Sequence, residues 1–248
     1  MVANLSIARA NRVQRLVHRP LVKNVNGQRV QGASFLSHIL KGAGIQNEPS
    51  VPPQYSILHQ GQALLNTASR YNFSFSSNDT LANSSYPTHR LLNLQDAFVV
   101  IGMAVHLSRR VSTAPGQEQF FSWAHPDAAI FGTQAPNLES VYNGVISYTQ
   151  DQTVVLENIP MRQFRAVPIS QQGAAASRGA AAPYADSYNQ DMVMFDLPQA
   201  VVVLGNNKNQ FFIDIPANSN IASAVANTTN VLEFTLYGFR ITNVLIQR

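Results

Sequence analysis

The side chains whose spacing most clearly supports chemistry in this sequence are basic ones near the start of the chain. Seven arginines and lysines precede the first acidic residue, Glu48, and these are Arg9, Arg12, Arg15, Arg19, Lys23, Arg29 and Lys41. The remaining 201 residues carry 10 basic and 13 acidic side chains, so a segment of charge +7 precedes a body of charge −3. This segregation indicates a polyanionic partner, either nucleic acid or an anionic membrane surface.

The sequence contains no local residue pattern typical of metal binding or of thiol chemistry. The histidines are all at least 17 residues from one another along the chain: His18, His38, His59, His89, His106 and His125. The sequence also contains no cysteine. It therefore offers no local cluster of metal ligands, no disulfide framework and no thiol nucleophile, although histidines distant in sequence can still converge in space.

Other catalytic chemistry is equally unsupported. Glu118, Asp127 and Glu139 are candidates for glycosidase chemistry, which needs two carboxylates about 5 to 10 Å apart, but isolated acids in loops are usually solvated. The sequence has no Gly-x-Ser-x-Gly elbow, phosphate-binding loop or dinucleotide fingerprint. We therefore expect neither an enzyme nor a cofactor or metal requirement.

The aromatic residues allow two interpretations. Trp123 and four tyrosines, Tyr71, Tyr142, Tyr148 and Tyr237, could form a stacking platform for bases or a sugar. They fall in alternating strand patterns, however, and no arginines are interleaved with them. Packing in a core or an interface is the favoured interpretation.

The composition is poor in charge. Charged residues make up 12% of the chain against about 25% in typical globular domains, while asparagine and glutamine together number 42. A surface of neutral polar side chains is cheaper to desolvate, which favours extensive contacts between subunits, although a charge-poor secreted β-protein would have the same composition. Arg9, Arg12 and Arg15 interrupt any signal-peptide segment, and the longest apolar run, Ala97 to Val105, is too short to span a bilayer, so we expect a soluble or peripheral protein.

The basic residues lie on a predicted helical arm. On a helical wheel of residues 5 to 19, the four arginines occupy an arc of about 120° and an apolar face lies opposite. Pro20 should end this helix, and Asn26-Gly27 predicts a tight turn. A second short helix is predicted from Ser34 to Lys41. The proline-rich stretch from Glu48 to Gln54 then separates an arm, residues 1–50, from a body, residues 51–248.

The body has the alternating pattern of β-strands. Tyr71, Phe73 and Phe75 alternate with polar residues, and Ala97 to Leu107 predicts a strand covered on both faces. Further strands are predicted at Phe120–Trp123, Gly144–Tyr148, Thr153–Leu156 and Asn230–Ile246, the last long enough for the middle of a sheet. Ala200–Leu204 and Gln210–Ile215 flank a turn-rich loop and predict a hairpin, and the alanine-rich stretch from Gly173 to Pro183 predicts an exposed loop.

Together these features resemble a jelly-roll capsid protein of an icosahedral virus. The resemblance rests on the basic arm, the proline joint, the amide-rich antiparallel body and the closing strand Val231–Thr242. In addition, Leu92 to Val105 is similar to strand segments in major capsid proteins of small tailless bacteriophages, some of which enclose a membrane.

The resemblance implies an all-β, antiparallel jelly-roll sandwich with a partly helical basic arm. A single jelly roll is favoured, because about eight strands are predicted, and a compact double jelly roll is the alternative. It further implies a structural protein of the virion, assembled in the host cytoplasm. Its expected partners are copies of itself in a trimer or larger icosahedral shell, other virion proteins, and the viral genome or an internal lipid membrane facing the arm.

A second function from another class fits the same β-rich body. In a carbohydrate- or receptor-binding jelly-roll module, of the spike or lectin kind, the stretches Gly173–Pro183 and Ser122–Phe131 would form the recognition tips.

Overall fold

The computed structural model describes residues 24–25, 28–29, 54–76, 92–112, 118–166, 169–170, 186–187, 195–217 and 220–242. The predicted arm helix, the predicted helix from Ser34 to Lys41, the proline joint before Gln54 and the loop from Gly173 to Pro183 lie outside these ranges. Within the first 50 residues the structure describes only two short strands, β1 (Asn24–Val25) and β2 (Gln28–Arg29), which pair antiparallel. The division into an arm and a body therefore stays a prediction.

Two antiparallel sheets form the body. Sheet I has the order β11 (Phe195–Leu204), β5 (Ala97–Ser112), β13 (Thr228–Ile241), β3 (Gln54–Ala63), and β6 (Glu118–Trp123) pairs with the far half of β5. Sheet II has the order β4 (Arg70–Phe73), β12 (Asn209–Asp214), β7 (Val145–Gln150), β8 (Thr153–Pro160). The prediction of an all-β antiparallel body is thus confirmed.

The connections contain little regular structure. Two one-turn helices, α1 (Ala128–Phe131) and α2 (Ala135–Leu138), lie between β6 and β7 together with short 3₁₀ turns. A further 3₁₀ turn, Met161–Phe164, follows β8, and two two-residue strands, β9 (Ile169–Ser170) and β10 (Asp186–Ser187), pair with each other.

The hydrophobic core draws on both sheets. Phe73, Phe211 and Tyr148 come from sheet II and Phe234 from sheet I, and all four rings are buried. Tyr148 stacks on Phe211 with ring centroids 4.1 Å apart, and Phe211 contacts Phe234 at 5.2 Å. Truncating a ring of this kind to alanine typically costs about 3 to 5 kcal/mol, so this cluster is a main contributor to the association of the two sheets.

The last long strand, β13, lies in the interior of its sheet, as its length predicted. β13 pairs with β5 on one side and with β3 on the other, so it is an interior strand of sheet I. At Gly238 the β13–β5 register shifts, and a Cβ on this residue would lie 2.0 Å from the Val99 carbonyl oxygen. Glycine is therefore required here by the close approach of the two backbones.

One predicted pairing is wrong. The strands around residues 200–204 and 210–215 exist as β11 and β12, but they belong to different sheets and do not form a hairpin. The connecting loop crosses from sheet I to sheet II, anchored where the Gly205 N–H donates to the Asp96 carbonyl and the Asn209 amide donates to the Leu204 carbonyl. Turn residues predict that the chain reverses, but they do not specify which strand becomes the partner.

Strand β3 was not predicted, because its inward side is largely polar. Gln60 and Gln62 point toward β4 instead of contributing to an apolar stripe. The Gln60 carboxamide accepts a hydrogen bond from the Ser74 N–H at 3.0 Å and donates one to the Ser74 carbonyl, as a neighbouring strand would. The Gln62 amide donates to the Asn72 carbonyl. These side chains join the β3 edge of sheet I to the β4 edge of sheet II.

Candidate functional surfaces

Six of the seven predicted polyanion-binding residues lie outside the described parts of the chain: Arg9, Arg12, Arg15, Arg19, Lys23 and Lys41. The seventh, Arg29, lies in β2 opposite Asn24. The predicted grouping of these seven side chains therefore stays a prediction.

Three described arginines of the body form ion pairs with carboxylates of the same chain. Arg70 makes two hydrogen bonds to Asp214, at 2.5 and 2.9 Å, and its guanidinium lies over the Phe212 ring. Arg165 makes two bonds to Glu139, at 2.8 and 2.7 Å. Arg240 contacts the buried carboxylate of Asp96. Each of these charges is matched by a carboxylate, so these positions contribute little attraction for an external polyanion.

Arg109 serves the fold in a different way. Its guanidinium donates to the backbone carbonyls of Ile130 and Phe131 and to the Gln134 side chain, and it lies 5.4 Å from the centre of the Phe131 ring. Burial lowers the pKa of this guanidinium. The side chain fixes the helical connection between β6 and β7 against β5, because it satisfies carbonyls that a one-turn helix leaves free.

A cluster of titratable side chains lies on sheet I, on the face opposite the core. Leu232 and Phe234 of β13 point into the core, so Glu233 between them points to the other face, where it is nonetheless buried. The β13–β5 register places His106 directly opposite Glu233. His59 of β3 lies diagonally across, with its Nε2 atom 3.7 Å from a Glu233 oxygen. Sequence spacing could not reveal this cluster, because three separate strands supply its members.

The hydrogen bonding of the cluster argues against nucleophilic catalysis. The Ser108 hydroxyl donates to Glu233 Oε1, which directs its proton to a carboxylate and not to an imidazole. Burial lowers the pKa of His59, and the neighbouring Glu233 carboxylate partly counteracts this by raising it. The arrangement is suited to pH-dependent stability, because His59 can change charge beside a buried carboxylate.

Metal and glycosidase chemistry gain no support from the geometry. Within the described ranges, no group of three His, Cys, Asp or Glu side chains is arranged to hold a metal ion. Of the three candidate acids, Glu139 is bound by Arg165, and the side chain of Glu118 is outside the described part.

The four tyrosines considered as a stacking platform are buried in the protein: Tyr71, Tyr142, Tyr148 and Tyr237. Their prediction as packing residues is confirmed. Tyr148 also donates from its hydroxyl to the buried Asn209 side chain at 2.7 Å, and burial strongly raises the pKa of this phenol. The side chain of Trp123 lies outside the described part.

The exposed surface of sheet II is apolar at one edge. Val154 and Val155 of β8 are 56% and 39% exposed. Across the β12–β7 ladder, Gln210 lies opposite Thr149 and Phe212 opposite Ser147, and two charges on this outer face, Arg70 and Asp214, form an ion pair beside Phe212. Such a surface can be desolvated without leaving a buried charge unpaired.

Comparison with models of protein families, with curated proteins and with solved structures finds no match to this chain. Among the described residues, no helix has the length and apolar character needed to cross a membrane.

Proposed function

We propose that this protein is a capsid subunit whose body is a single jelly roll and whose basic arm faces the enclosed genome or an internal membrane. The observation that carries the proposal is the order of strand pairing. Sheet I has five strands, of which β6 lies off the main path and pairs with β5; numbering the other eight strands of the two sheets 1 to 8 along the chain gives sheet I the order 1-8-3-6 and sheet II the order 2-7-4-5. The first strand pairs with the last, and the pairs are nested inward to the β7–β8 hairpin. Nested antiparallel pairing of eight strands in two sheets is typical of a jelly roll.

The charge distribution supports a role in enclosing a polyanion. Arg70, Arg165 and Arg240 of the body are matched by carboxylates, and Arg109 is bonded to the backbone. In the sequence as a whole, the excess of positive charge lies before Glu48, since the residues from Glu48 onward carry 10 basic and 13 acidic side chains. The first 47 residues carry a charge of +7 and the remaining 201 a charge of −3, so many copies can pack side by side while their basic segments concentrate positive charge on one side of the layer.

Because the jelly roll hosts many functions, assembly itself has to be tested. Purified full-length protein would be imaged by electron microscopy and followed by light scattering at several salt concentrations. Closed particles or ordered sheets are the expected result. A monomer or trimer that never grows larger, together with specific glycan binding on an array, would favour the carbohydrate- or receptor-binding module instead.

The role of the arm has its own experiment. A variant in which the seven basic residues of the arm are replaced by glutamine keeps the apolar face and removes the charge. If the wild-type arm neutralises seven phosphates, log affinity falls with log salt at a slope of about −5 for single strands and about −6 for duplex. Binding to anionic vesicles would instead be stabilised by about 1 kcal/mol for each basic residue near the membrane surface. If the glutamine variant binds nucleic acid and anionic vesicles as tightly as wild type, the arm does not bind polyanions and this part of the proposal is wrong.

A further inference from the structure

The outer face of sheet I, opposite the core, is buried along the interior strand β13. Leu232, Phe234 and Leu236 of this strand point into the core. The residues that alternate with them point to the outer face, and each is 8% exposed or less: Val231, Glu233, Thr235 and Tyr237. An antiparallel sheet commonly leaves its second face in water, where outward side chains remain accessible. The burial therefore indicates that other parts of the protein cover this face.

Sheet II shows that an interior position alone does not bury an outward side chain in this molecule. Its interior strands are β12 and β7, in which residues of the core alternate with outward residues. The outward residues are all only partly buried: Gln210, Phe212, Asp214, Val145, Ser147 and Thr149. The outer face of sheet II is thus accessible to solvent, whereas that of sheet I is covered.

The described residues account for the cover at one side of the face. Ala124 and Ala166 form one cluster with Ala104 of β5. Ala104 lies opposite Thr235, and Val231 is four residues further along β13, about 13 Å away, so these alanines do not reach it. Because the burial of Val231 arises within a single chain, a second copy is not required to explain it.

We propose that the basic arm, residues 1–50, docks on the outer face of sheet I and completes this cover. The arm leads directly into β3 at the edge of the sheet, and the outward residues Tyr55 and Ile57 of β3 pack with Tyr237 of β13. The predicted helix of the arm has an apolar side that needs such a partner surface, and this side consists of four residues: Ile7, Ala10, Val13 and Val17.

The other long segment of the chain, the connection from β8 to β11, is anchored at the opposite side of the face. It continues from Ala166, which packs near Ala104 of β5, and it leads to Phe195 of β11, which lies opposite Met103 of β5. β5 and β3 flank β13 on its two sides. The side of the face beside β3 is therefore next to the end of the arm and not to this connection.

Docking through its apolar side turns the basic side of the predicted helix away from sheet I. Arg9, Arg12, Arg15 and Arg19 then point outward from the subunit. In a shell, the outer face of sheet I becomes the side that faces the enclosed genome or membrane, and this orientation rests on the proposed function. The docking itself takes place within one chain and does not depend on assembly.

A thiol–amine crosslinker identifies the arm, because the chain has no cysteine and its three lysines are Lys23, Lys41 and Lys208. The reagent is attached to His59→Cys, whose native side chain is 27% exposed on the outer face of sheet I. The control is Thr149→Cys on the outer face of sheet II, near Lys208, which directly precedes β12. In protein of monomer mass, His59→Cys should crosslink to Lys23 or Lys41, and Thr149→Cys to Lys208. No arm crosslink from His59→Cys, or equal arm crosslinks from both variants, would overturn the docking.

The Thr235→Cys variant measures the cover itself, because Thr235 is buried on this face. Adding Val13→Ser and Val17→Ser disrupts the apolar side of the arm, and we expect the thiol to be labelled by a maleimide about tenfold faster. The matched control adds Arg12→Gln and Arg15→Gln, which keep the apolar side and should leave the labelling rate unchanged. Circular dichroism verifies that each variant is folded.

The outcomes separate the docking from its alternatives. Unchanged labelling in the serine variant would contradict the docking. If replacing residues 173–182 by a glycine–serine linker of equal length speeds the labelling instead, the connection from β8 to β11 is the cover and the proposal is wrong. Particles without arm crosslinks from His59→Cys would leave the shell and refute the docking, whereas these crosslinks without particles would leave the docking and refute the shell.

Discussion

Replacing Gln60 with leucine tests whether glutamine side chains hold the two sheets together at the β3–β4 edge. The carboxamide bonds both the N–H and the carbonyl of Ser74, and both residues are buried. A leucine of similar size leaves the two backbone groups without partners, at about 1 to 3 kcal/mol each. After the gain from burying an apolar side chain in place of an amide, the free energy of unfolding should fall by about 2 to 4 kcal/mol.

Urea unfolding followed by circular dichroism would measure this change. The matched control is Gln62→Leu, because Gln62 is only partly buried and has one hydrogen bond to the backbone of Asn72, so its loss should cost about 1 kcal/mol. A loss for Gln60→Leu no larger than that of the control would refute the bridging role.

A charged replacement gives the same test a pH signature. In Gln60→Glu, the introduced carboxylate can still accept from the Ser74 N–H, but it faces the Ser74 carbonyl without a proton to donate. The folded state therefore favours the protonated carboxyl and raises its pKa above the unfolded value of about 4.3. Stability of this variant relative to wild type should be greatest below that value and fall as the pH rises through the folded-state pKa. A pH-independent difference from wild type would contradict the predicted geometry.

Three further predictions concern other buried positions. Burial lowers the pKa of His59 below its usual 6.5, so the unfolded state binds this proton more readily than the folded state. The stability of the wild-type protein should therefore fall as the pH drops from 6.5 through the lowered pKa. Urea unfolding at several pH values would measure this slope, and His59→Gln should remove the part that His59 contributes. Asn209 accepts a hydrogen bond from the Tyr148 hydroxyl and donates to two backbone carbonyls. In urea unfolding, Asn209→Ala should therefore lower the free energy of unfolding by about 2 to 4 kcal/mol and Tyr148→Phe by about 1 kcal/mol. Equal losses for the two variants would contradict this assignment. Gly238→Ala brings a Cβ within 2.0 Å of the Val99 carbonyl oxygen and should lower the melting temperature by more than about 5 °C, and an unchanged melting temperature would argue against the close approach.

Sequence alternation predicted strands best where one face is consistently apolar. Tyr71 and Phe73 lie in β4, and the apolar run from Ala97 forms β5, with both faces of its first half buried. The same reasoning missed β3, because Gln60 and Gln62 replace the apolar residues on its inward side. Their bonding partners are backbone groups of another strand, which no local pattern can indicate.

The cluster around Glu233 was equally beyond the sequence. No two histidines are near each other in the chain, so the sequence gives no reason to place His59 beside His106. They meet at Glu233 because β13 lies between β3 and β5, so three strands that are far apart in sequence present side chains to one face. Strand order in a sheet is a property of the whole chain, since non-local pairs form only when the complete core can be closed.

The sequence by itself determined the separation of a basic segment from a charge-poor body, the lack of cysteine chemistry and the β-rich character of that body. These properties follow from the residue types and their local periodicity. Only the tertiary structure decided that β11 and β12 belong to different sheets, that glutamine side chains bond to the β4 edge and that, among the described strands, β8 pairs only with β7. The physical reason is that alternation fixes which face a side chain occupies within its strand, whereas the partner of each strand is set by burial and hydrogen bonding over the whole fold.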